Sequence, residues 1–110
     1  MTGEGGNLFA ALPRSLAEEE TIELVANENL KIERIVSTGQ ASPESFWYEQ
    51  DWAEWVLLVG GSAGVLFEGE AEPRVLRAGD FLHIPPRCRH RVAWTDRERP
   101  TVWLAVHYRA

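Results

Sequence analysis

The chain has 110 residues, 45% of them hydrophobic and 25% charged, which is the size and make-up of one soluble globular domain. Its formal net charge of -6, from 17 acidic and 11 basic residues, argues against nucleic acid or an anionic membrane as partner. One cysteine excludes an internal disulfide. With no stretch near the roughly 18 apolar residues of a membrane span and no basic-then-apolar leader, a cytoplasmic protein is expected.

In chain order, Met1 to Gly6 is Gly-rich and expected to fray. Asn7 to Leu16 contains Pro13 and has room for one helical turn. The acidic run Glu18 to Glu20 reads as a solvated segment. From Thr21 the residues TIELV alternate and are β-branched, so a strand is expected there, then a turn at Asn27-Glu28-Asn29. In the following LKIERIVS, Leu30, Ile32 and Val36 share one parity, Arg34 interrupts them, and Ile35 lies opposite. Thr38 to Ser45 is a loop on composition. FWYEQ, Glu54 to Val59 and Val65 to Glu68 read as strands punctuated by Gly60, Gly61 and Gly64. Arg74 to Arg77 and FLHI are short strands on either side of a turn at Ala78-Gly79-Asp80, and Pro85-Pro86 stops the second. His90 to Thr95, a charged turn DRERP and TVWLAVHY close the chain. About nine short strands and no convincing helix predict an all-β sandwich or barrel.

The stretch GDFLHIPPRCRHRV gives the pattern more content. Gly79, Pro85 and His90 stand at the spacings of the second cupin motif, with Arg87 where that motif has its second glycine and Trp94 where it has asparagine. Glu54 and Gly61 match the second half of the first cupin motif. Its His-x-His is absent: Tyr48-Glu49-Gln50 or Trp47-Tyr48-Glu49 stands there, depending on the spacing taken. The chain thus resembles a small single-domain cupin with a degenerate first motif. The resemblance implies a double-stranded β-barrel of the jelly-roll type, with residues 1–20 as an N-terminal extension and 21–110 as the barrel domain. It also implies a divalent metal (iron, zinc, nickel or manganese) inside the barrel, and a homodimer.

Carried over by position, only Glu54 and His90 keep the identity of the family's metal ligands. Gln50 offers an amide oxygen and Tyr48 a phenol, two residues apart on one strand face. His107, near the end of the last strand, is an alternate donor, since that strand runs antiparallel to the one starting at Glu54. Without a metal, Glu54 and His90 form a hydrogen-bonded pair at the pocket base, because a buried carboxylate needs a partner. Strand parity places Phe46, Tyr48 and Gln50 on the pocket wall with His90, and Trp94 inward beside them, either narrowing the pocket or filling a core.

Asp51, Trp52 and Ala53 are expected to turn at the barrel mouth, leaving Trp52 exposed. Cys88 reads as a small buried hydrophobe, with a reactive thiol as the alternative between Arg87 and Arg89. His83 reads as structural or surface. Two functions follow. One is a metal-dependent enzyme of dioxygenase, isomerase or decarboxylase type. The other is a non-catalytic cupin that binds a small molecule or serves as a dimeric structural unit. No paired carboxylates, Ser-His-Asp set or phosphate loop assigns a general base or a nucleotide.

Overall fold

The computed structural model describes residues 2–109. Met1 of the expected fraying segment and Ala110 at the expected domain end lie outside them. Among the described residues there are eight strands and no helix: β1 (Glu20–Ala26), β2 (Leu30–Ser37), β3 (Ala53–Gly60), β4 (Ser62–Phe67), β5 (Arg74–Arg77), β6 (Phe81–Ile84), β7 (His90–Thr95) and β8 (Thr101–Tyr108). They form a five-stranded antiparallel sheet in the order β1-β2-β8-β3-β6 and a three-stranded one in the order β5-β4-β7. This is the all-β architecture that the strand pattern predicts, in the jelly-roll form that the resemblance implies, with eight strands where about nine were expected. No helix here is long and apolar enough to cross a membrane.

The two sheets face each other across one apolar core. Val56, Leu58, Leu82, Ile84, Trp103 and Ala105 enter from the larger sheet, and Ala63, Val65, Phe67 and Leu76 from the smaller. Period-two alternation does this: on β3, Glu54, Val56 and Leu58 share the inner face, and Trp55 and Leu57 the outer one. The β3–β4 turn hinges on Gly61, with φ of 82°, where an added Cβ would sit 2.7 Å from the Thr101 Cα.

FWYEQ is not a strand. A turn in which the Phe46 N–H donates to the Pro43 carbonyl (2.9 Å) precedes it, and only Tyr48 pairs, in an isolated bridge with His90. That bridge is reciprocal, with N···O distances of 2.7 and 3.1 Å. The ladder stops there because the Cys88 N–H turns back to the Pro85 carbonyl (3.2 Å) and the Cys88 carbonyl takes the His90 ring N–H, while the Arg87 N–H reaches the Gln50 carbonyl (2.6 Å). Ala53 belongs to β3 and is fully buried, so the turn at the mouth is Asp51-Trp52. Trp52 is half-buried, with the Arg109 guanidinium 5.2 Å above its ring.

The interruption at Arg34 has a physical cause. Leu30, Ile32, Arg34 and Val36 face away from the core, and Arg34 is only 7% exposed. Its guanidinium donates to the carbonyls of Leu8 (3.3 Å) and Ala10 (2.7 Å) and to Glu20 (2.9 Å). The N-terminal segment, which makes a single turn closed by Ala10 N–H to Asn7 C=O (3.0 Å), is thereby strapped across the outside of β2.

Candidate functional site

A cavity of about 290 Å³ opens between the sheets, small for a ligand pocket. Glu54 is the second residue of β3, on its inner face. β8 pairs with β3 in a register that sets His107 directly opposite Glu54, so the last strand does bring its imidazole to the carboxylate. His90, the first residue of β7, enters from the opposing sheet, and its Nε2 stands 3.8 Å from Glu54 Oε1, close but too far for the hydrogen bond expected between them. Both side chains are largely buried, 8% exposed for His90 and 12% for Glu54. Tyr48 and Gln50 line the same cavity. The five polar positions singled out from the sequence (Tyr48, Gln50, Glu54, His90, His107) are thus gathered at one place.

The proline corner explains how His90 is held. The Cys88 carbonyl lies 2.9 Å from His90 Nδ1. A carbonyl only accepts, so Nδ1–H donates, and Nε2 is the nitrogen turned to Glu54. Tyr48 stacks on the imidazole with ring centroids 5.4 Å apart, and Phe67 lies 6.0 Å away. Cys88 itself is half-buried against the apolar core. Arg87 has φ of 64°. This is the left-handed region that favours glycine, which is the residue the motif carries at this position.

Two expected wall residues are not there. Trp94 points outward and is 37% exposed. The β4–β7 ladder pairs Gly64 with Trp94 but Val65 with Val92. Ala93 is therefore a bulge, and it flips the parity between His90 and Trp94. The indole lies over Gly64, where an added Cβ would meet its Nε1 at 2.2 Å. Phe46 is 42% exposed and sits in a shallow outer hollow, edge-on to Tyr48. Trp47 also faces out, between the guanidiniums of Arg89 and Arg91 at 5.7 and 5.5 Å. His83 is an exposed residue of β6 whose Nε2 is 2.5 Å from the Tyr108 hydroxyl.

Two carboxyls on the wall were not legible as site residues. Glu33 lies on the inner face of β2, 3.1 Å from His107 Nε2. Glu19, within the run read as solvated, also lines the cavity. It accepts from the Ser37 hydroxyl (3.1 Å), which accepts from Trp103 Nε1 (3.1 Å). The signal for Glu33 was its parity with Ile35; for Glu19 there was none, since it precedes the strand.

Burial dominates the electrostatics. It raises the Glu54 pKa, with His107 and His90 opposing and Glu33 adding to the rise. It raises that of Glu19 against the Ser37 hydrogen bond, helped by the charge of Glu54. The Tyr48 phenol is also pushed up, by burial and then by Glu19 and Glu54.

The fit to a metal can be tested on these donors. Among the described residues, no three His, Cys, Asp or Glu side chains converge as a metal site requires. His107 is engaged by Glu33, and a phenol whose pKa is raised resists becoming a phenolate ligand. The donor set, as arranged, does not fit the family's metal.

Fold and cavity together define a small β-barrel protein with an internal polar site. The family model described as Cupin domain matches residues 33–107, and the chain belongs to that family. It is 56% identical to a protein from Ralstonia eutropha JMP134 provisionally described as a mannose-6-phosphate isomerase. That likeness covers 98% of this chain and 100% of the other, with a TM-score of 0.96. A cupin superfamily protein from Desulfitobacterium hafniense DCB-2 is similar in fold at 14% identity, covering 100% and 95% of the two chains with a TM-score of 0.77. A cupin family protein with a double-stranded β-helix fold from Methanocaldococcus jannaschii is similar at 17% identity, 89% and 86% coverage and a TM-score of 0.69. No protein of curated function matches the chain.

Proposed function

We propose that the cavity binds a small carbonyl compound and moves a proton on it, as an isomerase of aldose–ketose type. The observation that carries this is the 3.8 Å approach of Glu54 Oε1 to His90 Nε2 inside a mostly apolar cavity. Burial that raises a carboxyl pKa favours its protonated form, which can donate a proton. In its neutral form His90, with Nδ1–H committed to Cys88, presents the Nε2 lone pair to the cavity. It takes the proton from the carbon beside the carbonyl, while Glu54 gives its proton to the carbonyl oxygen. The enediol then collapses in reverse: Glu54 recovers a proton from the other hydroxyl and His90 returns its proton to the former carbonyl carbon. Tyr48, kept protonated, donates a hydrogen bond to the substrate. The description of the Ralstonia protein as an isomerase supports the same reaction class.

The test is NMR of D-mannose, D-fructose and their 6-phosphates with the protein in D₂O. Deuterium is expected at the carbon beside the carbonyl, about 100-fold more slowly in Glu54→Gln or His90→Asn. If the native chain labels none of the four, it is a binding cupin without this catalysis.

We also propose a homodimer through the outer face of the larger sheet. Ile32, Trp55, Leu57, Leu104 and Phe81 lie on that face, Phe81 being 60% exposed. Apolar faces of this kind mark interfaces. Light scattering coupled to gel filtration is expected to give twice the chain mass, and one chain mass for Phe81→Arg. A monomeric native protein would refute the interface.

A further inference from the structure

The lining of the cavity bears on which ligands it accepts, an inference that rests on that cavity being the site proposed above. Three carboxyls, Glu19, Glu33 and Glu54, stand on its wall, and none of the chain's 11 lysines and arginines does. The nearest cation by position, Lys31, lines the adjoining outer hollow and is held by Glu33 at 3.5 Å. His90 Nε2 belongs to a side chain only 8% exposed and has no hydrogen-bond partner, since Glu54 at 3.8 Å is too far. It is turned into the cavity and open to a ligand hydroxyl. Beside the protonated Glu54 that the reaction uses, the Glu19 and Glu33 carboxylates and the lone-pair nitrogen accept hydrogen bonds, which suits hydroxyl donors and not a phosphate, itself an acceptor.

We infer that the pocket selects an uncharged polyhydroxylated carbonyl compound and rejects its phosphate ester, with Glu19 as the residue that sets this choice. Glu19 is suited to the role because it does not drift. The Trp103–Ser37–Glu19 hydrogen bonds, each 3.1 Å, fix the carboxyl to the buried end of β2 and to β8. Glu19 is exposed, and a like charge about 6 Å away at the effective dielectric near a protein surface costs on the order of 100-fold in affinity. Solvent and salt reduce this to about tenfold or more. The substrate class therefore differs from the one in the description of the Ralstonia protein, which names a phosphorylated sugar.

The experiment is calorimetric titration of the full chain with D-mannose and with D-mannose 6-phosphate at pH 8 and low salt, where the ester carries its full charge. The free sugar is expected to bind at least about tenfold tighter than the ester. Glu19→Gln, which keeps the acceptor for Ser37, should narrow that ratio several-fold. Glu33→Gln serves as a second variant on a different strand with the same expectation. Equal or tighter binding of the ester, or a ratio unmoved by both variants, overturns charge selection. The binding ratio is independent of turnover. Sugar preferred without deuterium exchange leaves charge selection standing and removes the proton-transfer reading; ester preferred with exchange does the reverse. Binding of neither compound overturns both.

Discussion

Replacing His90 by alanine should be costly in a calculable way. The imidazole is buried and donates to the Cys88 carbonyl at 2.9 Å. Removing it leaves that carbonyl without its partner inside the corner, at a cost of about 1–3 kcal/mol. The ring contacts with Tyr48 and Phe67, at centroid distances of 5.4 and 6.0 Å, add about 1 kcal/mol. A loss of about 2–4 kcal/mol is expected, read as a lower urea midpoint at unchanged slope. A double-mutant cycle with Glu54→Gln should show the two substitutions to be non-additive, because each changes what the other faces. A loss under about 0.5 kcal/mol, as for an ordinary surface substitution, would refute the placement of His90. Additive effects would refute the pairing.

Three further outcomes are expected. Glu54 has a folded pKa raised above the ordinary 4.5. The stability it contributes is therefore full below pH 4.5 and lost as pH rises through the folded value. Glu54→Gln never ionises, so thermal melts should show it gaining on the native chain as pH rises and losing that gain in acid; a pH-independent difference would contradict the assignment. Arg87→Gly relieves a left-handed residue whose ion pair with Asp51, at 3.4 Å between exposed side chains, is worth little. It should be neutral or stabilising by up to about 1 kcal/mol in urea melts, and a clear loss would show that the corner needs the guanidinium. Trp94→Ala should leave sugar affinity within about twofold in titration calorimetry, since the indole lies outside the cavity; a larger drop would return it to the pocket wall.

The sequence reading located the site better than its walls, for physical reasons. Glycine, proline and histidine at fixed spacing encode a backbone corner, and a corner aims the residue after it. His90 was legible from that corner together with the cupin resemblance, Glu54 from the match of Glu54 and Gly61 to the first motif, and His107 followed from antiparallel order once the strands were drawn. Trp94 failed because parity holds only while a ladder is regular, and a one-residue bulge at Ala93 leaves no mark in composition. FWYEQ looks like a strand because its aromatic residues favour one, yet within it only Tyr48 makes a strand-type bridge, with His90. Glu19 sits in an acidic run that reads as solvated and is indeed exposed, and only the fold shows that it also lines the cavity. Arg34 was visible as an anomaly and became intelligible only with the N-terminal strap in place.

The account turns on the carboxyl of Glu54 being enclosed with the imidazole of His90 around a space that a ligand enters. Carbon-detected NMR of the glutamate carboxyls across a pH series, with Glu54→Gln identifying the resonance, measures this directly. The Glu54 signal should titrate above 4.5 and move when D-mannose is added. A signal that titrates as a surface carboxyl does and ignores the sugar would contradict the account.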